Sequence, residues 1–404
     1  SILHLFLCEV YCYLIKLGIL KYENNFFNTN VIIKFTDLYK ANKFKAKDIH
    51  NIIIGGIRNL IKQNSFVGGK EVLNFEKNFA KFTNSKYCIS VGNGTDALEI
   101  AIESLNLKKG SEVIVPTNTW ISTAEAVTRN GLKVVFCDVC LKDYSIDLDD
   151  LKKKISNKTS AIMVVHLYGY PASIKKIKKI INNYKIKIIE DCAQAQGSKI
   201  ENKHVGTFGD IGTFSFFPGK NLGAYGDGGA IITNRVDLKK KCELLRNHGA
   251  YKKYDHQFPG RNSRLDTIQA YILSTKLRYY IKKLQKRNQL ANIYLKELKN
   301  TNGIYLPKLN FKKNYNSFHQ FVIRLECRDE LQDYLKKTGI DTMIHYPYML
   351  NELKFYKKNK GSVEIKNARN LGNKILSLPI TEDHTKKEIV YVCKKIKEFS
   401  KLYF

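Results

Sequence analysis

Apolar positions recur along this chain first at helical and then at strand spacing, and the alternation predicts the fold. Val72, Phe75, Phe79 and Phe82 fall at i, i+3, i+7 and i+10, one stripe of a helix, and the alternating Tyr87-Cys88-Ile89-Ser90-Val91 follows as a strand. The turn GNGTDA then feeds a helix. Val113-Ile114-Val115 reads as a strand ending at Pro116, and Val134-Val135-Phe136 as one ending at Asp138. Asp147 is placed to cap a helix with Leu148, Leu151 and Ile155 on one face. Ala161 to Val165 is a continuous apolar run of the kind buried on both sides. Ser173 is placed to cap a helix that turns Ile174, Ile177 and Ile181 inward, and Ile186, Ile188 and Ile189 lead to Glu190-Asp191. Strand, helix and strand in this order, with short connections, predict an α/β protein with a mostly parallel sheet.

Near Leu265 the pattern changes. A stretch without Gly or Pro, about 266–298, predicts one long helix bridging two domains. Beyond it, a short strand (Phe321 to Leu325) mixes with helices, and the last has a Thr385-to-Glu388 capping box with Ile389, Val392, Ile396 and Phe399 on one stripe. The expected organisation is an extension of unknown role over 1–34, a large α/β domain over 35–270 and a smaller α+β domain over 271–404.

Composition narrows the classes. The 404 residues are 44% hydrophobic, ample for a large core and too apolar for a disordered chain. The 68 Lys and Arg against 37 Asp and Glu give a formal +31, which invites an anionic partner. The lysines sit mostly as pairs on helices, Lys152 to Lys154, Lys175 to Lys179 and Lys394 to Lys397, so they read as solvated surface, and no nucleic-acid recognition motif accompanies them. Nine cysteines, odd and scattered, are no disulfide framework and point to the reducing cytoplasm; Cys137 and Cys140 form a lone CxxC without a second pair for zinc, so no metal is expected. The apolar first twenty residues carry His4, Glu9 and Lys16, a poor membrane span and a poor secretory signal, and no membrane partner is expected.

Ligands of open α/β sheets sit beyond the carboxyl ends of the strands, which directs attention to four segments: Gly92 to Asp96, Thr117 to Trp120, Asp191 to Gln194 and Ser215 to Lys220. GNGTDA matches the dinucleotide pattern G-x-G-x-x-A, but the next strand ends Val115-Pro116-Thr117, without the acid that would hold a ribose. What remains is an anion site of first-turn amides with the Thr95 hydroxyl, suited to phosphate, or an ordinary Gly-rich turn capped by Thr95 or Asp96. Asp191 ends a buried strand and needs a positive or hydrogen-bonding partner. Lys220 follows Phe214-Ser215-Phe216-Phe217 beside the glycine-rich 223–229, and a partly desolvated lysine is a nucleophile for carbonyls. Singly, these read more often as a cap and a surface lysine. Together with the Trp120 indole they fit pyridoxal phosphate: lysine for the aldehyde, aspartate for the ring nitrogen, an aromatic face for the ring and donors for the phosphate. A nicotinamide-dependent oxidoreductase is the remote alternative, resting on GxGxxA and leaving Lys220 idle.

From about Phe35 onward the chain resembles the DegT/DnrJ/EryC1/StrS sugar aminotransferases. The matching motifs are VGNGTDAL (91–98), VIVPTNTW (113–120), HLYGYP (166–171), EDCAQAQG (190–197), GTFSFFPGKNLGAYGDGG (212–229), LRNHG (245–249), NSRLD (262–266) and IHYP (344–347). The resemblance implies fold type I, with a mostly parallel seven-stranded sheet in the large domain. It implies that Lys220 binds the cofactor aldehyde and shuttles the proton, that Asp191 pairs with the pyridine nitrogen, and that Gln194 donates to the ring hydroxyl. Gly94, Thr95 and Ser215 would hold the phosphate, and Trp120 would stack on the ring. A homodimer with shared active sites is implied, which would bring Asn262 or Arg264 to the neighbour's phosphate. His319, His345 and Tyr346 would line the sugar pocket; many members carry a second His where this chain reads Pro347-Tyr348-Met349-Leu350. PGKNLGAYGDGG is most like enzymes that aminate a dTDP-3-keto-6-deoxyhexose, with glutamate as donor and 2-oxoglutarate as its product. A 3-keto uronic acid or a 4-keto hexose is the alternative substrate.

Overall fold

The computed structural model describes residues 33–38, 40, 43–44, 47–358, 365–369 and 371–404. Cys8, Cys12 and nearly all of the expected 1–34 extension lie outside the described residues. The central sheet has seven strands: β1 (Tyr87–Val91), β2 (Glu112–Pro116), β3 (Lys133–Cys137), β4 (Thr159–Val165), β5 (Lys187–Asp191), β6 (Ile211–Ser215) and β7 (Gly229–Thr233). Their spatial order is β1-β7-β6-β5-β4-β2-β3. β7 runs antiparallel to both neighbours, and the remaining pairings are parallel.

The continuous apolar runs have a simple cause. Ile114, Ile162, Val164, Ile188 and Phe214 enter one core, while Val113, Val115, Ala161, Met163 and Ile189 enter another on the opposite face. Helix α1 (Ile49–Lys62) packs Ile49 and Ile53 against Ile272 in a separate cluster, and α2 (Gly69–Thr83), α3 (Gly94–Ser104), α4 (Ser122–Arg129), α5 (Leu148–Lys154), α6 (Ile174–Ile180) and α7 (Val236–Leu245) cover the sheet. The α2 stripe bears directly on the site: Phe75 meets Phe216 edge-on at 5.3 Å, and Phe79 meets Phe214 edge-on at 5.0 Å. Those contacts fix β6 and the strand end that leads to Lys220.

Asp147 caps α5 as expected, accepting from the amides of Asp149 and Asp150. Ser173 precedes α6 but makes no side-chain cap. The expected single helix over 266–298 is two helices, α8 (Thr267–Leu277) and α9 (Tyr280–Glu297), with the break at Arg278 and Tyr279. The break falls in a stretch that holds no Gly or Pro, and the change of core comes later, within α9. Ala270 and Leu273 of α8, with Tyr280 and Leu284 at the start of α9, join the core beneath the sheet, whereas Leu290, Ala291 and Tyr294 join the C-terminal core.

That C-terminal core contains the antiparallel pair β8 (Phe321–Arg324) and β9 (Ile375–Leu378), with α10 (Arg328–Lys337) and α11 (Lys386–Tyr403). The Thr385–Glu388 capping box opens α11, whose Ile389, Val392, Ile396 and Phe399 are buried. Ile33, placed by the sequence in the extension, instead bridges to Ile340 and is buried in this core. Val165, Leu167, Tyr168 and Tyr170, which follow β4, pack into the same core, so the C-terminal elements close over the carboxyl edge of the sheet. The seven cysteines within the described residues are free, and burial pushes the Cys88 and Cys192 thiols up. Among the described residues no helix is long and apolar enough to cross a membrane.

Candidate active site

β1, β2, β4, β5 and β6 end at one edge of the sheet. The antiparallel β7 begins there, with Gly229 opposite both Val91 and Ser215. The four polar segments singled out in the sequence therefore converge, for the reason that parallel strands share a carboxyl end.

Asp191 closes β5 and is 5% exposed. Thr123 Oγ1 donates to its Oδ2 at 2.8 Å, and the Ala193 amide donates to Oδ1 at 3.1 Å. Its neighbour Glu190 is fully buried. Oε2 accepts from His166 Nε2 at 3.0 Å and from the Gly206 amide at 2.7 Å, and Oε1 accepts from the amides of Phe208 and Gly209. His166 Nδ1 accepts from the Ala172 amide, so Nε2 carries the hydrogen. Burial works against the Glu190 charge, but the bonds from His166 and the Gly209 and Gly206 amides outweigh it and hold the carboxyl below its ordinary range. Cys192 approaches His166 and Glu190 closely enough to suggest a metal, yet both Glu190 oxygens are committed to these donors. The pair is a brace for the strand end that carries Asp191.

Lys220 stands on the turn after Phe217, its amide bonded to the Phe217 carbonyl at 2.8 Å. Burial pushes its ammonium down to about 8, and the Asp191 charge resists that fall. The same lysine depresses two histidines. His319 is lowered well below its usual value by burial and then by Lys220, and His345 falls to about 4 for the same two reasons. Lys220, Asp191, His319 and His345 thus share one electrostatic neighbourhood. His319 Nδ1 faces Asn221 Oδ1 at 3.1 Å, which places its hydrogen on Nδ1.

Gln194 is clamped from two sides. Its Oε1 accepts from the Tyr168 amide at 2.7 Å, and its Nε2 donates to the Tyr346 hydroxyl at 2.9 Å. Tyr168 takes φ 60, which turns that amide toward Gln194, and its own hydroxyl donates to the His345 carbonyl. The Trp120 ring lies 5.6 Å from that of Tyr346 and is 57% exposed.

At the start of α3 the N-cap is Asn93, whose side chain accepts from the Asp96 amide; Thr95 and Asp96, the caps considered from sequence, are not it. Thr95 Oγ1 instead bonds Ser122 Oγ at 2.8 Å. The Gly94 and Thr95 amides have no hydrogen-bond partner among the described residues, and Ser215 lies beside them. A Cβ on Gly94 would come 2.6 Å from the Ser215 Cβ, so the cradle depends on a glycine.

Asn262 and Arg264 are not brought to this cradle within the chain. Both are exposed, and Arg264 donates to Asn247 Oδ1 at 3.1 Å. Ser263, between them, accepts from the Gly92 amide at 3.0 Å. Sequence reasoning passed over Thr123, Tyr168, His166 and Asn221. His166 and Tyr168, within HLYGYP, and Asn221, within GTFSFFPGKNLGAYGDGG, lay in segments that the sequence marked; Thr123 did not.

The sequence profile of the DegT/DnrJ/EryC1/StrS aminotransferase family matches residues 47–397. The chain belongs to this family. Among similar family members is a dTDP-3-amino-3,6-dideoxy-alpha-D-galactopyranose transaminase of Aneurinibacillus thermoaerophilus, 40% identical over 369 residues, spanning 91% of this chain and 99% of the relative. A UDP-2-acetamido-2-deoxy-3-oxo-D-glucuronate aminotransferase of Pseudomonas aeruginosa is 36% identical, over 86% of this chain and 95% of the relative. The crystal structure of S. venezuelae DesV, in complex with a ketimine intermediate, superposes with a TM-score of 0.87 at 32% identity, covering 91% of this chain and 98% of the other. This family member is accordingly an aminotransferase with the fold of that structure, as the sequence resemblance implied.

Proposed function

We propose that the protein uses pyridoxal phosphate to transfer an amino group from glutamate to the keto carbon of a nucleotide-linked sugar, foremost a dTDP-3-keto-6-deoxyhexose. The observation that carries this reading is Lys220: an amine with a lowered pKa, electrostatically coupled to the anchored carboxylate of Asp191. The residues present suit the cofactor. The Gly94 and Thr95 amides at a helix N-terminus, with the Ser215 hydroxyl, fit its phosphate. Trp120 offers a ring face and Gln194 an amide donor for the ring hydroxyl.

When bound, the cofactor supplies an aldehyde that takes up the amino group and a ring that accepts the electron pair. The chain does the rest. The neutral Lys220 amine would hold the aldehyde and, when freed by glutamate, would carry the proton taken from the donor's α-carbon. Asp191, fixed by Thr123 and Ala193, holds a proton on the ring nitrogen. With the cofactor bound, 2-oxoglutarate would leave with the oxygen of one water, and Lys220 would move the proton in the opposite sense for the ketosugar, whose keto oxygen departs as water as the amine forms. His319, His345 and Tyr346, from the C-terminal elements over the recess, would face the sugar.

The substrate reading rests on the PGKNLGAYGDGG segment and on the name of the Aneurinibacillus relative. A 3-keto uronic acid is the second reading, supported by the Pseudomonas relative. A homodimer would give exposed Asn262 and Arg264 a phosphate to reach, and it would cover the exposed apolar Phe66, Val67 and Leu73. We assign the work to the cytoplasm, where free thiols persist, and divide the chain near residue 270. Purified protein assayed with glutamate against 3-keto and 4-keto nucleotide sugars tests the proposal. Turnover restricted to the 3-keto-6-deoxy compounds is expected, and turnover of the uronic acid alone would replace that substrate with the second reading.

A further inference from the structure

A second recess lies against the backbone of Pro218 to Gly223, the turn that carries Lys220. It is small, about 30 Å³, and its walls are unusual: Lys276, Lys283 and Arg287 all line it, each no more than 6% exposed. Among the described residues one carboxylate, Glu382, pairs with two of these three cations. Its Oε1 pairs with Lys283 at 3.0 Å and its Oε2 with Arg287 Nε at 2.9 Å, so both oxygens are committed. Lys276 has no ion-pair partner among the described residues. Its Nζ donates to the Gly223 carbonyl at 2.7 Å and lies 4.1 Å from the centre of the Tyr225 ring.

A cluster with two formal positive charges in excess, withdrawn from water, is costly unless something neutral or negative relieves it. Two remedies exist. Lys276 can surrender its proton, or a small anion can enter. The titratable and charged groups around the ammonium are Lys283, Arg287, Glu382, Tyr280, Tyr225 and, across the recess, Lys220. Burial, followed by Lys283, pushes Lys276 down to about 7 against the opposing pull of Glu382, so near neutrality both remedies are open. A cavity needs about 10–15 Å³ to hold one water, so this one accommodates a single ion of halide size and excludes a glutamate or a sugar phosphate.

We propose that the recess between Lys276, Lys283, Arg287 and the Lys220 turn is a binding site for one small monovalent inorganic anion. Through Lys276 and the Gly223 carbonyl, its occupancy stabilises the turn that carries Lys220. Because the anion binds the protonated site, its affinity weakens as Lys276 deprotonates, approaching tenfold per pH unit above about 7.

The experiment uses the whole protein with its cofactor. Crystals grown in sodium bromide, with data collected at the bromine absorption edge, are expected to show an anomalous peak in contact with Lys276 and Arg287. In solution at constant ionic strength, the melting temperature near pH 6 is expected to be about 2 °C higher in chloride than in gluconate, which is too large to enter. That difference should vanish in Lys276→Met and shrink near pH 9. Bromide found only at surface lysines, or a water in the recess at saturating bromide, overturns the proposal. So does an equal chloride effect in the wild type and Lys276→Met. If Lys276→Met does not fold, the bromide map of the unaltered protein still decides.

Discussion

Thr123 Oγ1 donates to Asp191 Oδ2 at 2.8 Å and thereby ties the first turn of α4 to the end of β5. A hydrogen bond to a charged acceptor is worth about 1.5–3 kcal/mol, and here it also aims the carboxylate. Thr123→Val keeps the shape and removes the donor. Steady-state kinetics at saturating glutamate should show kcat reduced roughly tenfold to a hundredfold, with the circular dichroism spectrum unchanged. Asp191→Asn should cost more, about three orders of magnitude, because it removes the charge that holds the ring proton.

The phosphate cradle depends on an absent side chain. Gly94→Ala would place a Cβ 2.6 Å from the Ser215 Cβ, and something must move. Cofactor titration of the apoprotein should give a dissociation constant raised at least about tenfold, roughly 1.4 kcal/mol, with melting in the absence of cofactor altered far less.

Stability should fall as acid is added, and the direction is fixed by four groups. Glu382 is held down to about 2, where Arg287 and Lys283 outweigh the opposing burial, and Glu190 is also lowered by its N–H donors despite burial. Burial lowers His204 and His345 to about 4. Each of the four binds protons more readily in the unfolded chain, so each contributes stability that grows with pH. The histidine contributions are complete above about 6.5 and lost as pH falls toward 4; the carboxylate contributions are complete above about 4.5 and lost below it, that of Glu382 toward 2. Urea unfolding at a series of pH values should show a two-stage loss of stability below about 6.5.

Much of this was legible beforehand because two periodicities carry it. The continuous Ala161-to-Val165 run announces a strand buried on both faces, and the Phe75 and Phe79 stripe announces the helix that fixes β6. The convergence of Asp191, Trp120 and Lys220 at one edge followed from parallel topology alone. What remained hidden is what spacing does not encode. The α8–α9 break at Arg278 and Tyr279 falls in a stretch without Gly or Pro, and propensity carries no trace of it. Thr123 is an ordinary helix residue until β5 is placed beside it. Lys283 looked like a member of a solvated lysine surface, yet it is buried and paired with Glu382, about one hundred residues away.

The central claim is that the Lys220 amine binds the cofactor aldehyde, and reductive trapping tests it most directly. The protein is loaded with pyridoxal phosphate, reduced with sodium borohydride, digested and mapped by mass spectrometry. The phosphopyridoxyl mass should fall on the peptide carrying Lys220, with none on the Lys220→Ala variant and no turnover in that variant. The label on Lys276 or another lysine in place of Lys220, or near-normal activity in Lys220→Ala, would contradict it.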